Sequence, residues 1–179
     1  MKVILITGVI GSGKDYLAKQ YIKDHPQEKI KVLKFAQSLR DVTEGMHNLP
    51  KGDDAAYEAF KAIPENREFM VVLGQNLKRV YGEDFFAIKV AQDIKRLQYD
   101  YDTFVVTDFR CPIEFWTFTK ICTDIEVMFA DYHSYRYTLI PEQETEKMAI
   151  WLKEKGFKDR QVFSEYEFMC ILVGYELLI

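Results

Sequence analysis

The feature that most constrains this chain is its opening, KVILITGVIGSGKDYLAK (residues 2–19): an aliphatic, β-branched run, then three glycines and a lysine within seven residues, then a helical pattern. A continuous run such as KVILIT is expected of a strand buried on both faces. The pattern from 14 to 24 predicts a helix that stops before Pro26. Gly8, Gly13 and Lys14 fit G-x-x-x-x-G-K, with Asp15 where the pattern normally has Ser or Thr. Gly11 and Gly13 flank Ser12, so the backbone can curl and aim several N–H groups inward. Together with the following helix N-terminus these make a nest for an anion. Lys14 adds a mobile charge that can follow a phosphate during transfer. Asp15 either takes the hydroxyl's part at a Mg²⁺ ion, directly or through water, or only complements the helix dipole.

The rest of the sequence alternates in the same manner. Strands are predicted at 29–35, 103–108 and 125–130, and helices at 36–46, 55–61, 66–82, 83–97, 112–122 and 144–155. Residues 131–143 read as a loop, and the apolar tail EFMCILVGYELLI reads as a strand near 168–173. Strands separated by helices predict an α/β fold with a mostly parallel sheet. Ligands of such sheets bind beyond the carboxyl ends of the strands, where the glycine loop and the end of FVVTD would lie.

Composition limits the function. With 24 Lys and Arg against 28 Asp and Glu, the net charge is −4, which argues against a protein that holds long nucleic acid. Three cysteines, at 111, 122 and 170, have neither disulfide-framework nor metal-ligand spacing, so a reducing cytosol is the expected setting. No stretch approaches the roughly 18 apolar residues of a membrane span. At 179 residues a single domain is expected. The opening run is too short for a leader peptide and leads straight into the glycine loop.

Two further patterns carry chemistry. On a helix over NREFMVVLGQNLKRV, Phe69, Met70, Val72, Leu73, Leu77 and Val80 are expected on a core face. Arg67, Val71, Gly74 and Lys78 fall opposite, giving two cations on a stripe with a gap at Gly74. That stripe either receives a flat ligand and its phosphate or is simply solvated. In VVTDFRCPIE, Asp108 ends a strand, Arg110 follows on the same side, and Glu114 lies in the first turn of the next helix. Asp108 can orient the waters of a metal or the acceptor. Arg110 either neutralises charge moving between phosphates or pairs with Asp108, and Glu114 either contacts substrate or complements the helix dipole.

SGKD in place of GK[ST] resembles the bacteriophage deoxynucleoside monophosphate kinases, and also the animal type of phosphomevalonate kinase. The phage family shows a helix arginine, an apolar run ending in LG, basic residues, an aromatic pair, and an apolar strand ending D-x-R with an acid four residues later. This chain is similar in Arg67, Gly74, Lys78, Phe85 and Phe86, Asp108, Arg110 and Glu114, over roughly residues 1–130. KFAQSLRD (34–41) resembles the family's F-A-x-x-L-[KR] element.

The resemblance implies a P-loop, three-layer α/β/α fold with a five-stranded, mostly parallel sheet, a helical acceptor insert near 36–100 and a lid near 131–145. It implies phosphoryl transfer from ATP, with Mg²⁺, to a (deoxy)nucleoside monophosphate. The donor side would comprise Gly8, Ile10, Gly11, Ser12, Gly13, Lys14, Asp15 and Tyr16, with Arg136 from the lid. The acceptor side would comprise Phe35, Ala36, Arg40, Arg67, Gly74, Lys78, Phe86, Asp108, Arg110 and Glu114. Lys14, Asp108 and Arg110 would act in catalysis, and Asp15 and Asp108 at the metal. Small nucleotides are the expected partners, with no membrane and a homodimer open to it. Two departures stand out: Val71 where many relatives have glutamine, and the stretch DYHSYRYTLIPEQETEK where relatives have a histidine-rich, acid-containing loop, followed by a tail with no obvious counterpart to their Asn-bearing final strand. The alternatives are a kinase of another phosphorylated acceptor (phosphomevalonate-like or dephospho-coenzyme-A-like) and a non-catalytic ATP-binding accessory module.

Overall fold

A computed structural model describes residues 1–122, 124–131 and 147–176. Its centre is a five-stranded sheet: β1 (Lys2–Thr7), β2 (Ile30–Leu33), β3 (Thr103–Phe109), β4 (Ile125–Phe129) and β5 (Val162–Ser164). The order across the sheet is β2-β3-β1-β4-β5. The first four strands run parallel, and β5 pairs antiparallel with β4. The described helices are α1 (Lys14–Asp24), α2 (Gln37–Met46), α3 (Asp54–Lys61), α4 (Pro64–Tyr81), α5 (Phe85–Leu97), α6 (Pro112–Thr119), α7 (Lys147–Glu154) and α8 (Glu165–Glu176). None of them is long and apolar enough to cross a membrane.

The alternation along β1 sets the layers. Val3 and Leu5 face one side of the sheet, in a core with Phe104, Val106 and Val127 that α5, α6, α7 and α8 cover through Val90, Ile94, Phe115, Phe118, Leu152, Phe168 and Leu172. Ile4 and Ile6 face the other side with Val105 and Met128, under Leu17, Ala18 and Tyr21 of α1. Helices on both faces of a mostly parallel sheet are compatible with a three-layer α/β/α architecture, as expected.

Local signals fix the helix starts. Pro64 and Pro112 sit at the first positions of α4 and α6, where a missing N–H costs nothing. The Asp53 carboxylate accepts from the Ala56 amide at 3.0 Å and caps α3.

Two sequence expectations are corrected here. The tail is helix α8, not a strand. Its run of apolar residues does not distinguish a buried helix from a strand by periodicity, whereas the buried set Phe168, Leu172 and Tyr175 recurs at helical spacing. The signal that identifies the helix is S-E-Y-E just before it. The Ser164 amide and hydroxyl both donate to Glu167 Oε2 at 2.8 Å, part of a capping box.

The second correction concerns the faces of α4. Met70 is buried and Phe69, Leu73 and Leu77 are half-buried, but Val72 and Val80 are exposed. This helix packs on α2, α3 and α5 rather than on the sheet, so it buries only a narrow stripe. The stripe includes Gly74 and Lys78, both half-buried. A Cβ on Gly74 would lie 3.7 Å from Leu39 Cδ2 of α2, an ordinary contact. Close packing of α2 and α4 therefore accounts for part of the gap. Arg136 and nearly all of the expected lid lie outside the described residues.

Candidate active site

The carboxyl ends of β1 and β3, neighbours in the sheet, carry the residues with the most specific geometry. The glycine loop joins β1 to α1. Gly8 is buried at φ 152°, and a Cβ there would lie 2.2 Å from Ala130 O and 2.4 Å from Ser12 Oγ, so only glycine fits. Gly13, at φ 85°, occupies the N-cap of α1 in the left-handed region. The Ser12 amide donates to Val9 O at 3.1 Å and closes the turn. Lys14 folds over the loop, its Nζ donating to Gly8 O at 2.6 Å and Val9 O at 2.7 Å.

Three hydroxyls at this rim, Thr7 Oγ1, Ser12 Oγ and Thr107 Oγ1, are buried and complete no hydrogen bond. A buried polar group without a partner costs about 1–3 kcal/mol, which makes these three hydroxyls available acceptors and donors at the rim. Thr107 lies close enough to Asp15 to lower its pKa, although no hydrogen bond of proper geometry joins them. Desolvation would raise the Asp15 carboxyl, but Lys34, Thr107 and Lys14 together hold it below its ordinary value. Asp15 Oδ1 is 3.0 Å from Lys34 Nζ, at the end of β2. A carboxylate among hydroxyls is an oxygen-rich donor set that fits Mg²⁺. Ile10 and Tyr16 are exposed on either side of the loop.

Asp108 is engaged within the chain. Its Oδ1 accepts from the Phe35 amide at 2.7 Å and its Oδ2 from the Ala36 amide at 2.9 Å. Both oxygens of the carboxylate thus tie the turn between β2 and α2 to β3. Burial pushes its pKa above the ordinary carboxylate value in spite of these donors. The Phe35 side chain is core, edge-on to Phe118 with ring centroids 5.7 Å apart. Its contribution to any ligand site is therefore backbone.

Arg110 is fixed from behind. Glu114 Oε2 accepts from the Arg110 amide at 2.8 Å and the Cys111 amide at 3.0 Å, which closes a capping box at the start of α6. Burial raises the Glu114 pKa to about 7, against the two backbone donors and Lys78. The Cys111 thiol is pushed up to about 11 by burial and by Glu114. Lys78 acts on both groups, so α4 brings a cation to the Asp108–Glu114 segment. Arg67 lies eleven residues earlier on α4, about 16 Å along the axis, and is exposed toward the α3 end.

Two other expected acceptor residues are placed differently. Arg40 is taken up within the helices: its Nε is 2.5 Å from Glu44 Oε1, its Nη1 2.5 Å from Asp54 Oδ1, and its guanidinium lies 4.6 Å from the Tyr57 ring centroid. It clamps α2 to α3, and only Nη2, buried and without a hydrogen-bond partner, remains for anything else. Phe86 is in the core. The exposed aromatic here is Tyr81, stacked on Phe85 at 5.2 Å, because the buried stripe of α5 begins at Phe86.

Thr107, at the end of FVVTD, is expected from the sequence to face this crevice, with no role assigned to it. Thr7 and Lys34 are not foreseen: Thr7 ends an apolar strand and Lys34 stands where the second strand meets F-A, so a stricter use of the strand-end rule would find both.

No protein-family model matches the chain, and no curated protein matches it at significant similarity.

The buried Glu114 makes stability depend on pH. An acid with its folded pKa at about 7, against an ordinary 4.5, holds its proton better folded than unfolded. The contribution of Glu114 to stability is therefore greatest below the unfolded value and declines as pH rises through the window between the two, by at most roughly 3 kcal/mol. Glu114→Gln keeps an oxygen for both amides and removes the charge. It should match the wild type near pH 4.5 and exceed it in urea midpoint above pH 7; equal midpoints at both pH values would contradict this assignment.

Proposed function

We propose that this chain is a P-loop kinase that moves a phosphoryl group from ATP to a (deoxy)nucleoside monophosphate. The observation that carries this reading is the pairing of two built features on one rim. One is a glycine loop whose lysine and unpartnered hydroxyls suit a polyphosphate. The other is a second segment, Phe35–Ala36, riveted beside it by Asp108.

In this reading the loop amides and Lys14 hold the donor phosphates, and Lys14 moves with the charge as it passes to ADP. Asp15, with Thr107 reached through water, would hold Mg²⁺, which supplies neutralisation of the phosphate oxygens. Arg110, its backbone set by Glu114, and Lys78 from α4 receive the acceptor phosphate. That group is largely dianionic near neutral pH and needs no general base. What it needs is in-line alignment and relief of like-charge repulsion, which fixed cations give.

The direct test is ADP formation from ATP and Mg²⁺ over a panel of acceptors: the deoxynucleoside and nucleoside monophosphates, phosphomevalonate and dephospho-coenzyme A. A monophosphate should raise the rate at least tenfold over ATP alone. Stimulation only by one of the last two acceptors would move the assignment to that substrate. Binding of ATP with no stimulation by any acceptor would leave an accessory module.

A further inference from the structure

An aspartate directly after the loop lysine poses an electrostatic problem. Its carboxylate stands at the N-terminus of α1, where a polyphosphate must dock, and like charges at that distance repel. A serine or threonine hydroxyl brings no such penalty. The chain therefore needs a positive charge at Asp15 whenever no metal is there, and the structure supplies one from another strand. Lys34 Nζ is 3.0 Å from Asp15 Oδ1, while Lys14, the nearest cation in sequence, is turned toward Gly8 O and Val9 O.

Lys34 is also placed to serve more than one partner. Its charge bears on Asp108 and on Asp54 as well as on Asp15. It sits one residue before Phe35, whose amide Asp108 holds. Its pair with Asp15 is half open to solvent on both sides, with side-chain exposures of 45% and 66%. An open ion pair of this kind is weak and readily exchanged, which is the property a replaceable counter-ion requires. A buried, fully bonded pair would instead lock Asp15 away from a metal. Lysine suits this role better than arginine, being a compact charge on a flexible stem without a fixed bidentate partner.

We propose that Lys34 is a resident counter-ion of Asp15 that a divalent cation displaces when nucleotide is loaded, freeing the ammonium to swing toward the acceptor side of the rim. The proposal rests on the kinase reading and adds an order to it: the donor with its metal goes first, and the acceptor gains a cation only afterwards. It also makes the metal-free complex viable, because Asp15 stays neutralised when ATP arrives alone.

The test is ATP binding to the whole chain by isothermal titration, with excess Mg²⁺ and with EDTA, for the wild type, Lys34→Met, Asp15→Asn and the double variant. Lys34→Met should weaken metal-free ATP about tenfold and change Mg²⁺-ATP by less than twofold. Adding Asp15→Asn to Lys34→Met should restore metal-free binding, since the charge that required compensation is gone. An equal loss with and without metal would make Lys34 an ordinary phosphate contact and overturn the exchange. So would no loss in either condition, or a double variant no better than Lys34→Met. Acceptor-stimulated ADP formation by the wild type is read separately, so the exchange can fail while the kinase reading stands. Absence of ATP binding by the wild type overturns both.

Discussion

Lys14→Ala should lower ATP-dependent phosphoryl transfer by about 10³-fold, the scale on which losing one preorganised charge at a transition state is felt. The fold should survive. Lys14 is half-exposed, and its ammonium donates to two carbonyls of its own loop, bonds that water can replace. Far-ultraviolet circular dichroism and the thermal midpoint should therefore stay close to wild type while turnover falls by that factor. Weakened Mg²⁺-ATP binding by titration should accompany the loss. An unfolded variant would show that the lysine holds the loop together, and retained turnover would remove the loop from the chemistry.

Asp108→Ala should act in the opposite proportion. The change leaves the Phe35 and Ala36 amides without their acceptors, and the expected cost is about 2–4 kcal/mol of unfolding free energy. The segment between β2 and α2 then loses its fixed distance from β3. The acceptor KM should rise severalfold, while the Mg²⁺ concentration giving half-maximal rate stays unchanged. The alternative outcome is equally readable. A large rise in Mg²⁺ requirement with stability and acceptor KM intact would return Asp108 to the metal, where the sequence alone had set it.

That contrast shows where sequence reading stops. D-x-R at a strand end correctly brings Asp108 and Arg110 to the rim, because strand ends and glycine turns are local in the chain. What Asp108 bonds to, the amides of residues 35 and 36, is separated from it by more than seventy residues, and no periodicity reports such a pairing. Arg40 shows the same limit. Its place after F-A suggested a ligand contact, but Asp54, fourteen residues on, claims one side of its guanidinium. The α4 stripe shifted for a further reason: a helix that packs on other helices and not on the sheet buries less, and which valines stay dry depends on the neighbours' angles. The tail helix, by contrast, was written in plain local code at Ser164 and Glu167, and its apolar density masked it.

The seat of Gly8 has a thermodynamic corollary. Its backbone rests against Ala130 O, and the Ala130 amide in turn donates to Thr7 O at 2.8 Å. The loop's first residue and the exit of β4 thus form a single seam, set when the sheet assembles. Because Gly8 is seated by contacts within the chain itself, the entropic cost of placing it belongs to folding rather than to association.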